Sequence, residues 1–80
     1  MKARTKETID NYVTKGGKPG DFVTAVLAND LMGAFGSADN ENRRDMFEIV
    51  QYVYNNIPNN VHGSYEIVER HLQSFREGEA

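Results

Sequence analysis

Apolar side chains recur along this chain at helical spacing rather than in the alternation of strands. Between Thr5 and Thr14 the stripe is thin. Ile9, Tyr12 and Val13 stand at i, i+3 and i+4, with Thr5 as the expected N-cap, Glu7 in the first turn and Gly16-Gly17 as the stop. So narrow a stripe docks on a larger body but does not nucleate one. The linker Lys15-Gly16-Gly17-Lys18-Pro19-Gly20 is turn chemistry throughout. Asp21 is then the expected cap of a second helix over 22–35, with Gly36 as its left-handed stop. Val23, Val26, Leu27, Leu31 and Ala34 share one broad arc of that helix, with Phe22 and Phe35 at its edges, which predicts a largely buried element.

Ser37 or Asp39 caps a third predicted helix, 39–56, which Pro58 prevents from continuing. Met46, Ile49, Val50, Val53 and Ile57 form its stripe. Phe47 and Tyr54 widen that stripe to roughly 160°, enough to pack against two neighbours at once. The fourth helix, 64–75, takes Ser64 as its cap and Tyr65, Val68, Leu72 and Phe75 as its stripe; Arg76 to Ala80 read as a polar, frayed tail. The expected fold is all-α, a compact bundle of about four short helices in a single domain over 1–80.

Composition narrows what such a body does. Eighty residues make one domain at most. With no cysteine there are no disulfides, no thiolate catalysis and no Cys-ligated metal. A chain this short buries only about 60% of its unfolded surface, so stability must come from efficient packing, with oligomerisation as a supplement. Little room is left for a deep reaction chamber. No apolar run approaches the ~18–20 residues of a membrane span, and no signal-peptide core follows Lys2 and Arg4. A cytoplasmic setting without membrane contact is therefore expected.

Charge is unevenly spread. The first twenty residues sum to +3 and the next twenty to −3, within a total of −3. A basic amino-terminal quarter could touch nucleic acid, although a solvated lysine-bearing surface accounts for it more simply. No nucleophile elbow, phosphate loop or zinc-helix motif occurs. Gly16-Gly17-Lys18-Pro19-Gly20 lacks the Lys-Ser/Thr ending of a phosphate loop, and Asp21 would repel an anion there. Asp39-Asn40-Glu41-Asn42 has oxygen ligands without the glycine and glutamate of a calcium loop, so capping explains it better. His62 falls in a loop and His71 at the margin of a helix stripe, where a packed structural histidine is the simpler reading. No catalytic residue, metal or cofactor is expected, and the chain reads as a binding protein rather than an enzyme.

Two residues resist so plain an account. Asp30 falls inside the apolar arc of the second segment and needs a donor there. It is expected to clamp that segment to a neighbouring helix start, with Arg43 or the N–H groups opening the fourth segment as partners. Tyr52 lies about 120° from the centre of its stripe, an exposed aromatic suited to anchoring an interface.

The run Pro19-Gly20-Asp21-Phe22-Val23-Thr24-Ala25-Val26-Leu27-Ala28-Asn29-Asp30-Leu31, then Ala38-Asp39 and Asn42, resembles small proteins encoded by phages and prophages. Ile49-Val50-Gln51-Tyr52-Val53-Tyr54-Asn55-Asn56-Ile57-Pro58 and Gly63-Ser64 continue the likeness, which covers most of 9–72. Asp21 stands where that pattern more often has glycine. The pattern has no assigned chemistry. The resemblance implies an accessory product of a mobile element acting in a bacterial host, a class that includes anti-CRISPR proteins and other inhibitors of host defence. Three readings follow. The first is an inhibitor that binds a host protein or assembly stoichiometrically, with Tyr52 among its contacts. The second is a nucleic-acid-binding regulator using Lys15, Lys18, Arg43 and Arg44. The third is a homo-oligomer that sequesters a nucleotide-like small molecule between subunits.

Overall fold

Ile9 and Tyr12 face inward from α1 (Ala3–Lys15), and both are fully buried. Around them a computed structural model, which describes residues 1–79, places α2 (Asp21–Leu27), α3 (Leu31–Ser37), α4 (Asn40–Arg44), α5 (Met46–Asn56), a 3-10 turn (Asn59–Val61) and α6 (Tyr65–Glu79). No strand occurs among the described residues, so the all-α expectation holds. The helices number six rather than about four, because two of the expected ones are broken.

The first break follows α2. Asn29 takes a left-handed φ of 61°; its N–H donates to the Val26 carbonyl at 3.1 Å and that of Asp30 to the Ala25 carbonyl at 2.8 Å. This paired closure is the Schellman stop, and asparagine is among the few residues that accept its left-handed position. Asp30 then opens α3 as its N-cap, with Oδ1 accepting the Gly33 N–H at 2.9 Å. Gly36, the expected stop, lies within α3 and has no left-handed φ. The second break is at Asp45, whose φ of −91° and ψ of 6° separate α4 from α5. Only α5 turns residues into the core; α4 buries none.

Caps follow expectation in part. Asp39 accepts the Asn42 N–H at 2.8 Å, and Ser64 accepts the Ile67 N–H at 3.1 Å. Thr5 is not a cap: it lies inside α1, buried, and its hydroxyl donates to Asn42 Oδ1 at 3.2 Å. Gly20 precedes α2 as its N-cap residue, and Asp21 is the first helical residue rather than the cap. The expected tail is also corrected, since α6 runs on through Arg76 to Glu79, with Arg76 paired to Glu69 at 3.0 Å; Ala80 lies outside the described residues.

The core joins Ile9 and Tyr12 to Phe22, Val23 and Leu27 of α2, Met46, Ile49 and Val53 of α5, and Val68 and Leu72 of α6. Short α2 is the hub, packing against α1, α3 and α6. At the far end of α1, the Tyr12 hydroxyl donates to the Val61 carbonyl at 2.7 Å. His71 Nε2 lies 2.7 Å from the Tyr12 carbonyl, which makes that nitrogen the protonated one, since a carbonyl only accepts. The His71 ring stacks at a tilt on Tyr12, 4.5 Å between centroids, and Phe75 meets its edge at 5.1 Å. Gly16 makes room for this joint: its φ is +68°, and a Cβ there would lie 2.3 Å from Phe75 Cγ.

Candidate functional site: an open apolar face

Both breaks turn apolar residues outward. α3 buries only Ala34, leaving Leu31 60%, Met32 83% and Phe35 42% exposed. On α5, Met46, Ile49 and Val53 go inward while Phe47, Val50 and Tyr54, at i, i+3 and i+7, stay 79%, 45% and 75% exposed. Two expectations are thereby corrected. The second segment is not largely buried beyond Ala28, Ala34 excepted, and the wide arc of the third is covered on one side only. Its second side meets solvent.

Leu31, Val50 and Tyr54 line two grooves. One of about 150 Å³ lies between α3 and α5, lined by Leu31, Ala34, Met46 and Val50 over Ala25 and Val26. A second, of about 390 Å³, continues past Val26, Asn29 and Val50 to Val53, Tyr54 and His62. The Gly63 N–H donates to the Leu27 carbonyl at 2.7 Å, tying the His62-Gly63 loop to the end of α2 and fixing that wall. With ~150–250 Å² per fully open large side chain, the six exposed residues present on the order of 700 Å². The largest apolar patch on an ordinary monomer is about 300–600 Å², and one partner of a standard interface contributes about 800 Å². Summed over the two helices, the exposed apolar area is on the scale of an interface.

The residues singled out from the sequence fall elsewhere. Tyr52 is not exposed but half-buried between α1 and α5: its hydroxyl donates to Asp10 Oδ1, and Lys6 Nζ sits 5.4 Å from its ring centre. Asp10 Oδ2 in turn accepts from Lys6 at 2.8 Å. The bond to Lys6, then the one from Tyr52, holds the Asp10 carboxyl below its ordinary range; the same bond to Asp10 raises the Tyr52 hydroxyl. Tyr52 is a link between helices, not an anchor for a partner. Asp30 is half-buried at the α2–α3 break rather than inside a helix arc. Its Oδ2 accepts from the Tyr65 hydroxyl at 2.5 Å, so its partner on α6 is a side chain and not the helix's N–H groups. Arg43, the other expected partner, instead donates from Nε to the Phe35 carbonyl at 3.3 Å.

The four cations do not meet. Arg43 and Arg44 end α4, whose Asn42 and capping Asp39 touch Thr5 and Lys2 at the start of α1. Lys15 ends α1, ten residues beyond Thr5 and so about 15 Å along its axis, with Lys18 in the linker beyond it. All four are exposed.

A third hollow, about 510 Å³, lies among Lys2, Arg4, Thr8, Asp21 and Asp39; it carries charges of both signs, and Lys2 is already bound to Asp39 at 2.5 Å. Among the described residues no cluster of His, Asp or Glu is placed to hold a metal, and no helix is long and apolar enough to cross a membrane. Periodicity puts Leu31, Phe35, Phe47, Val50 and Tyr54 on or beside the core-facing arcs, so residue spacing alone does not reveal that they face solvent. Met32, off that arc, was the one visible sign of an apolar side facing out.

What the fold and the face define is a small all-α protein with an open apolar side. Comparison with protein-family models, with curated proteins and with solved structures finds no match.

Proposed function

We propose that this chain is a non-enzymatic protein that acts by seating its α3–α5 face stoichiometrically on a protein partner. The observation that carries this reading is the exposed apolar area, interface-sized in sum, that Leu31, Met32 and Phe35 of α3 and Phe47, Val50 and Tyr54 of α5 present. Two helical ridges flanking a groove suit a partner helix laid between them. No charged side chain interrupts the 390 Å³ groove, and Asp30, the one at the smaller groove, has both carboxylate oxygens engaged. The distance between the Lys15–Lys18 end and the Arg43–Arg44 end favours this reading over a nucleic-acid regulator, which needs a continuous basic face. Taken with the resemblance to phage and prophage proteins, the partner is a component of a host defence system in the bacterial cytoplasm, and the effect is inhibition.

The test is capture of host protein by the purified chain, compared with Met32→Glu and Phe47→Glu. Both side chains are open to solvent, so folding should be unchanged. Loss of a captured species with both variants, together with relief of its inhibition, supports the reading. Equal capture by all three proteins refutes it.

A further inference from the structure

Arg43, Phe47, Val50 and Tyr54 form one exposed line along α4 and α5. At about 100° per residue, Phe47, Val50 and Tyr54 share an arc of about 60°, beside the arc that Met46, Ile49 and Val53 turn to the core. The Asp45 N–H still donates to the Glu41 carbonyl at 3.0 Å, and the Ile49 N–H to the Asp45 carbonyl at 2.9 Å. The helical ladder thus spans the break and sets Arg43 one turn before Phe47 on the same side. Its Nε bond to the Phe35 carbonyl holds it there.

The intervals along this line are four, three and four residues. That is the spacing of a coiled-coil seam, and it reads the same in both directions. A second copy laid antiparallel, about a two-fold axis between Phe47 and Val50, sets Phe47 against Val50, large against small. It also sets Arg43 over the ring of Tyr54, and the two-fold makes each pairing occur twice. A parallel copy would instead bring Arg43 against Arg43. The flank is compatible too, since Arg44 comes opposite Gln51. Asp45 and Glu48 point elsewhere, both paired with the Met1 amine, so no carboxylate lies on the seam. Leu31 stands across the groove from Val50, and Phe35 beside Arg43. With these two included, a pair of copies covers roughly 1,200 Å², the lower end of what a specific interface buries.

We infer that this chain pairs with a second copy of itself through an antiparallel seam of Arg43, Phe47, Val50 and Tyr54. Interfaces of that size exchange readily, so a protein partner can displace the second copy from the α5 ridge. The inference shares that ridge with the protein-binding reading but does not rest on it, because pairing needs no host protein.

The experiment is sedimentation velocity of the purified chain over about 1–300 µM, the range in which a pair of micromolar affinity assembles. The mass should climb from one copy toward two. Phe47→Glu should weaken pairing at least about tenfold, while Met32→Glu, off the seam, leaves it within about threefold. Both side chains are exposed, so circular dichroism of the variants should match the parent. The chain has no cysteine, which lets introduced thiols read the register. A mixture of Arg43→Cys and Tyr54→Cys chains should be joined by a short bis-maleimide. Neither variant alone should be, its two thiols lying about 16 Å apart along the seam. A single copy throughout the series, undiminished pairing by Phe47→Glu, or crosslinking of Arg43→Cys to itself would each overturn the inference. If the chain stays single while capture still depends on Met32 and Phe47, the inference falls and the protein-binding reading stands. Pairing that is lost with Phe47→Glu but kept with Met32→Glu, in a protein that captures nothing, upholds the inference and removes that reading.

Discussion

Asp30 and Tyr65 join two helix starts. One oxygen of the Asp30 carboxylate caps α3 through the Gly33 N–H, and the other accepts the hydroxyl of Tyr65, the first residue of α6. Gly33 makes the arrangement feasible, because a Cβ there would lie 2.3 Å from Asp30 Oδ2. Both bonds favour the ionised form, the one from Tyr65 most, and hold the carboxyl below its ordinary range.

Asp30→Ala should therefore lower the melting temperature by about 4–8 °C, as loss of a helix cap does in a domain of this size. Tyr65→Phe should lower it less, and should add nothing once Asp30 has been replaced, since the bond it removes is then already gone. Thermal melts of the two single variants and the double variant measure this. An additive double variant would show that Tyr65 acts through other contacts.

Acid should weaken the fold through three carboxylates. Asp10 is held down chiefly by Lys6, Asp30 by Tyr65 and Asp39 by Lys2. A carboxylate whose folded pKa is depressed contributes stability present above its ordinary value, about 4, and lost as pH falls through the folded one. Melting temperature should be flat near neutrality and drop below about pH 4. Lys2→Met should make that drop shallower by releasing Asp39.

At the alkaline end the sign reverses. Burial pushes the Tyr12 hydroxyl up to about 12, and the bond that the Tyr52 hydroxyl donates to Asp10 raises Tyr52 as well. A raised folded pKa leaves stability intact below the ordinary value of about 10 and removes it as pH climbs toward the folded one. Unfolding should set in between about pH 10 and 12, followed by the tyrosinate absorbance. Tyr12→Phe, which removes the ionising group, should flatten the dependence in that window.

Gly16→Ala should destabilise by about 1–2 kcal/mol from the left-handed backbone alone, and further because the new methyl meets Phe75. In the Phe75→Ala background the clash with the ring is gone and only that with the residue 75 Cβ is left, so the second contribution shrinks and the double variant should be more stable than the sum of the singles implies. Denaturant unfolding of the three proteins reads this coupling directly.

Tyr52→Phe tests the corrected role of that residue. Losing the hydroxyl that Asp10 accepts should reduce stability modestly and leave partner capture unchanged, the opposite of what Met32→Glu should do. Capture lost with Tyr52→Phe at full stability would return Tyr52 to the interface.

Much of this protein could be read from residue order alone, because helix formation and capping are local. The all-α class, the Gly16 stop, the caps at Asp39 and Ser64 and the inward set Ile9, Tyr12, Met46, Ile49, Val53, Val68 and Leu72 all follow from spacing within a few turns. Even the Asn29-Asp30 break had a local signal, a pair suited to a left-handed stop and a following cap. Which apolar stripe would find a neighbour was not local. Leu31 and Val50 have the same periodicity as Leu27 and Ile49, yet one pair is open and the other sealed, because α2 lies in the middle of the bundle while α3 and the far side of α5 lie at its edge. Tyr52 became a link rather than an anchor for a similar reason, Asp10 being forty-two residues away in order but within reach once α1 crosses α5. Periodicity assigns a residue to a side of its helix; only the assembled bundle decides whether that side meets protein or water.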